Sequence, residues 1–188
     1  MIGALVAGQV GSGGAAPNSY ESIATATGTG SSGTITFSPI PSGFKHLEIR
    51  GITRTDGTNA GFDVRLNSDS GSNYAQHELN GDGSAANASG SASTTQMRLG
   101  RPAISTTAAN THGVVTISIL DYASTSKNKT LRSFSGMDDN SGTTVSQVQV
   151  RSGLWMSTSA VTSISIIAGG SANWTTTTTF ALYGIKEF

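Results

Sequence analysis

The sequence predicts an all-β protein, a jelly-roll-like antiparallel β-sandwich with an extended N-terminal arm. Three observations lead there. Short runs of alternating apolar and polar residues recur about every ten residues between turn-forming clusters, the rhythm of a sandwich or barrel. Charged residues make up only 12% of the 188-residue chain, against about 25% in an average soluble protein. The remaining polar surface is Ser, Thr, Asn and Gly, which disfavour helices and suit strands joined by tight turns. No sustained helical period and no internal repeat is present, which argues against bundles, solenoids and propellers.

The length suits one hydrophobic core. The spacing divides the chain into an arm over residues 1–20 and a sandwich domain over residues 21–188. The arm holds Ile2, Leu5, Val6 and Val10 among glycines and alanines. One reading is a disordered terminus. The other is an arm that orders against a neighbouring subunit, with the four as candidate partner-binding residues; these four favour it, because a solvated tail is usually charged and poor in apolar residues. The apolar run is too short and glycine-broken for a signal peptide or a membrane span. A chain made and kept in a cytoplasm, or assembled there, is expected.

From Tyr20 the pattern is β. A weak strand is expected over 22–27, and one over 34–37 with Ile35 and Phe37 on one face. Pro39 and Pro41 lack donors and mark a corner. Over 45–52, Leu47 and Ile49 face inward while His46, Glu48 and Arg50 face outward. Strict alternation continues over 62–66, and a short strand over 74–79 follows the polar loop 67–73. Residues 80–92, rich in Gly, Ala and Ser, read as a loop with little to pack. Further strands are predicted over 95–99 and over 112–120, where Val115, Ile117 and Ile119 share a face. Another spans 129–135 with Leu131 inward. Over 145–151, Val148 and Val150 share a side with Ser146. The apolar run Leu154-Trp155-Met156 predicts a buried Trp155. Ile164 and Ile166 point inward over 161–167, and the last strand, 180–186, closes the sheet. That makes about ten strands. Even spacing and long loops favour a jelly roll over an immunoglobulin domain, whose Cys–Trp–Cys core is missing.

Chemistry-bearing residues are sparse. Net charge is zero and cysteine is absent, so no electrostatic case exists for nucleic acid or anionic membranes, and thiol chemistry is excluded. His46, His77 and His112 lack the close spacing of metal ligands. Asp69, Asp82, Asp138, Asp139 and Asn140 sit near glycines but match turn chemistry better than a calcium loop. Gly-Ser-Gly runs such as Gly11-Ser12-Gly13 have no strand–turn–helix context. No catalytic residue, metal site or cofactor is expected. Trp155 and Trp174 could each stack on a sugar, but burial in the core or at a subunit contact is the favoured reading for both. Trp174, beside Asn173 and a threonine run, is the better surface candidate of the two.

Several segments in order carry a resemblance: Ile35-Thr36-Phe37-Ser38-Pro39-Ile40-Pro41, Lys45-His46-Leu47-Glu48-Ile49-Arg50, Asn67-Ser68-Asp69-Ser70-Gly71-Ser72-Asn73-Tyr74, Ser152-Gly153-Leu154-Trp155-Met156 and Phe180-Ala181-Leu182-Tyr183-Gly184-Ile185. Together they resemble small virion structural proteins of tailed bacteriophages, including cyanobacterial phages. The resemblance spans residue 20 to the end. It implies a non-enzymatic virion protein assembled in the host cytoplasm. The short chain and apolar arm lean toward a capsid cement, or decoration, protein. Such a protein binds across major capsid protein subunits and forms a homotrimer with copies of itself. The alternative is a tail-fibre or receptor-binding module, contacting host glycan through the loops 80–92 and 100–111 and Trp174. A polysaccharide-degrading enzyme is the third class.

Overall fold

The computed structural model describes residues 19–140 and 146–186. Among the described residues twelve strands form: β1 (Tyr20–Thr27), β2 (Thr34–Phe37), β3 (His46–Thr53), β4 (Phe62–Leu66), β5 (Tyr74–Gly81), β6 (Ala86–Thr94), β7 (Met97–Gly100), β8 (Gly113–Ile119), β9 (Lys129–Met137), β10 (Gln147–Trp155), β11 (Ile164–Ala168) and β12 (Thr179–Ile185). Among the described residues the one helical element is a single 3-10 turn, Gly169–Ser171. Gly170 takes a positive φ of 66° there, which suits glycine.

The strands build two antiparallel sheets. The larger has eight strands in the order β1-β12-β3-β8-β9-β10-β5-β6, and the smaller has four, β2-β11-β4-β7. With the hairpins β5–β6 and β9–β10 set aside, successive strands alternate between the sheets except at β4 and β7, which pair with each other in the smaller one. Both hairpins therefore read as insertions that widen the larger sheet on one side. The last strand, β12, lies inside this sheet, paired with β1 and β3.

The core sits between β12-β3-β8 and the smaller sheet. Leu47, Ile49, Ile117, Ile119, Phe180 and Leu182 face Phe62, Val64, Leu66, Ile164 and Ile166, and all are buried. The alternation that predicted these strands is the alternation that fills this space. An aromatic cluster closes one end. Trp174 packs edge-on against Phe62 and Phe180, with ring centroids 5.7 and 5.2 Å away. Gly51 lies beneath it, and a Cβ there would sit 2.5 Å from the Phe180 ring. At the other end Tyr74 stacks on Trp155 at 6.4 Å. The Trp155 Nε1–H donates to Asp69 Oδ2 at 2.7 Å.

Two expectations are corrected. Residues 80–92 are not a loop. Most of them belong to the edge strand β6, which pairs with β5 from Tyr74↔Thr94 to Gly81↔Ala86. The side chains of β6 are almost all exposed, so main-chain pairing rather than burial makes the strand. Alternation could not reveal it.

Trp174 is not a surface aromatic. It is 0% exposed. Its neighbours Asn173 and Thr175 are polar because they tie the loop down. Asn173 bonds both carboxylate oxygens of Asp56 at 2.7 and 2.9 Å, and the Thr175 amide donates to the Arg54 carbonyl. The indole points the other way, into the core, and its N–H meets the Ile166 carbonyl at 3.3 Å. Glu48 is a smaller departure. It faces outward as expected but is buried, accepting from Arg50 Nε at 2.7 Å and from the Tyr20 hydroxyl at 3.3 Å.

Candidate functional site

Two surfaces centred on the inserted hairpins stand out, and over β5 and β10 they are opposite faces of the same strands. On the outer face, large apolar side chains line up in register across neighbouring strands. Ile52 lies beside Val114, and the row continues through Gly136 to Val148. A second row runs Phe134, Val150, Leu79 and Ala88. Ile52, Val114, Phe134, Val148, Val150 and Leu79 are between 45% and 58% exposed. Contiguous apolar exposure of this kind marks a contact surface, whereas single exposed apolar residues do not.

The inner face of the same strands is polar. Where β5, β6 and β10 extend beyond the smaller sheet, a cleft of about 540 Å³ opens, and its lining is almost wholly polar. The strand alternation sets Gln76, Glu78 and Asn80 of β5 beside Gln147, Gln149 and Arg151 of β10. Asn87 and Ser89 of β6 form one rim, and Arg98 and Arg101 approach from β7 and the turn after it. Gln149 and Arg151 are buried.

These side chains hold one another. Arg151 forms an ion pair with Glu78, and its Nε–H donates to Gln149 Oε1 at 3.1 Å. Gln149 Nε2 donates to Gln147 Oε1 at 2.9 Å, and Asn80 Nδ2 donates to Glu78 Oε1 at 2.7 Å. Arg98 Nε reaches Asp63 Oδ1 at 3.2 Å, and the Arg98 backbone N–H donates to the Gln76 side chain. Burial lowers the pKa of both Arg101 and Arg151, and the Glu78 carboxylate opposes that fall.

The candidates from the sequence fall elsewhere. Ile2, Leu5, Val6 and Val10 lie outside the described residues. His46, His77 and His112 stay apart from one another: His46 Nδ1 accepts from the Asp121 amide, and His112 Nε2 meets the Thr177 hydroxyl. No group of three metal-ligating side chains forms among the described residues. Asp69 and Asp82 accept local donors. Asp69 takes bonds from Trp155, Asn73 and the Gly71 amide, which hold its carboxyl below the usual range. Asp82 takes bonds from Ser84 and the Ala85 amide. Asp138 accepts from the Asn140 amide, and Asp139 from the Ser146 hydroxyl. These are turn-forming roles. Trp155 is buried, as its apolar run predicted.

The cleft residues are not recognisable as a group in the sequence. Their signal was present as polar residues at every second position, Gln76-x-Glu78-x-Asn80 and Gln147-x-Gln149-x-Arg151. Without the pairing of β5 with β10 the two triplets cannot be joined. Comparison with protein-family models, curated proteins and solved structures found no match to this chain.

Proposed function

We propose that the chain is a non-enzymatic structural protein of a tailed-phage virion, acting as a capsid cement protein. It would bind across major capsid protein subunits, together with copies of itself in a homotrimer. The observation that carries this reading is the apolar outer face of the larger sheet, centred on Phe134, Val148 and Val150. A chain of zero net charge and 12% charged residues has little electrostatic means of association, so burial of apolar surface is its main driving force. Such a protein stabilises a shell by mass action, because it binds the assembled state better than the free subunits. Once the hairpins are set aside, two four-stranded sheets remain, β1-β12-β3-β8 and β2-β11-β4-β7, joined by crossovers except between β4 and β7, which fits the jelly-roll architecture proposed for it. The tail-module reading keeps one supporting observation, the polar cleft, part of whose rim comes from residues 80–92. Trp174 gives it none.

The test is the chain's place and copy number in an imaged particle. Hundreds of copies at regular positions on the head are expected, with the outer sheet face against the shell. A few copies at the tail, or a head position with that face in solvent, would overturn the reading.

A further inference from the structure

The inward positions of a β-sandwich are normally apolar, because the space between two sheets is dry. In the hairpin half of this sheet they are polar on three adjacent strands, and they open onto a cleft. Its volume, about 540 Å³, lies within the range of about 300–1,000 Å³ usual for small-molecule sites. Among the described residues the one apolar residue lining it is Ala60, so a flat hydrophobic ligand would find little to pack on. The amide side chains present both N–H donors and carbonyl acceptors, and Glu78 adds further acceptors. A ligand bearing many hydroxyls can satisfy such a lining group by group.

Charge narrows the class. Among the described residues Arg98, Arg101 and Arg151 contribute +3, while Glu78 and Asp63 contribute −2, leaving +1 at the cleft. One added carboxylate would bring the set to neutrality, and a guanidinium fork matches a carboxylate in shape as well as charge. Free phosphate fits less well. It carries more charge than the surplus and would use the guanidiniums while leaving the amides idle. The contacts among Glu78, Gln147, Gln149 and Arg151 fix their side chains before any ligand arrives, which reduces the ordering cost of binding.

We propose that the cleft between β5, β6, β10 and β7 binds an acidic saccharide, with the sugar carboxylate on the guanidiniums of Arg98 and Arg101 and its hydroxyls on the amides of β5, β6 and β10. The site belongs to the cleft alone and holds whether the chain sits on a head or a tail.

The test titrates the full chain with digalacturonate, maltose and inorganic phosphate, read by NMR shift changes and calorimetry. Saturable binding of digalacturonate is expected, with maltose and phosphate each about tenfold weaker or worse. Two substitutions at the cleft margin separate the contacts. Arg101→Gln should weaken digalacturonate about tenfold and leave maltose unchanged, and Asn87→Ala should weaken both sugars severalfold. Matched thermal melts establish that the variants fold. No saturable response to digalacturonate up to about 10 mM, phosphate binding as well as the sugar acid, or equal binding by both folded variants would each overturn the proposal. None of these results bears on the assembly reading, which rests on the opposite face.

Discussion

The two halves of the larger sheet are built to opposite rules. In β12, β3 and β8 the inward residues are apolar, and part of the outward face is covered by polar and aromatic groups. There Arg50 lies over the rings of Tyr20 and Tyr183, at 5.6 and 5.5 Å, and pairs with Glu48. In β10 and β5 the order is reversed, with Gln149, Arg151 and Glu78 inside and Val148, Val150 and Leu79 outside. β9 stands at the boundary. Leu131 joins the core, yet Ser133 and Ser135 are buried inward while Phe134 is exposed. Each polar residue at an inward position forgoes the roughly 1.5–3 kcal/mol that burying a large apolar side chain contributes. The first half therefore carries the stability, and the inserted half is free to carry recognition.

The largest way to break this contrast lies in the first half. Trp174→Ala removes the centre of the aromatic cluster and should cost about 3–5 kcal/mol, measured by urea denaturation. A loss below about 1 kcal/mol would mean that the core does not depend on this cluster.

In the second half, Glu78→Gln leaves the buried Arg151 without its ion partner. A loss of about 2–4 kcal/mol is expected, somewhat below a fully buried pair because Glu78 keeps some solvent contact. Equal stability of the variant and the parent would show that the inner network contributes no rigidity to the cleft.

A smaller effect depends on pH. The Asp69 carboxyl is held below its ordinary range, first by the Trp155 indole and then by Asn73 and Gly71. A depressed folded pKa contributes stability that is fully present above the unfolded value, about pH 3.9. It is lost as pH falls from there through the lower folded value. Asp69→Asn should flatten this part of the acid limb in denaturation midpoints measured across that window. An unchanged acid limb would remove Asp69 from the account.

The first half was legible because burial and alternation coincide there. Leu47, Ile49, Val115, Ile117, Ile119, Ile164 and Ile166 could each be assigned inward from period two alone, and all are buried. The second half was not, because alternation gives two faces without saying which one the fold covers. Val148 and Val150 were rightly placed on one side of their strand, but only the packing of the smaller sheet decides that this side faces out. The edge strand β6 carries no apolar period at all. The surface alternative for Trp174 arises because its polar neighbours report the anchoring of the loop and say nothing of where the indole points.

The central claim is that the apolar face of the hairpin half is covered in the assembled state. The chain has no cysteine, so Val148→Cys places a single thiol on that face, and Thr36→Cys places one on the exposed side of the smaller sheet. Maleimide labelling is followed in the free chain and in assembled particles. Both thiols should label readily in the free chain, and assembly should protect the thiol at position 148 at least tenfold while leaving that at 36 accessible. Equal labelling at position 148 in both states would contradict the account.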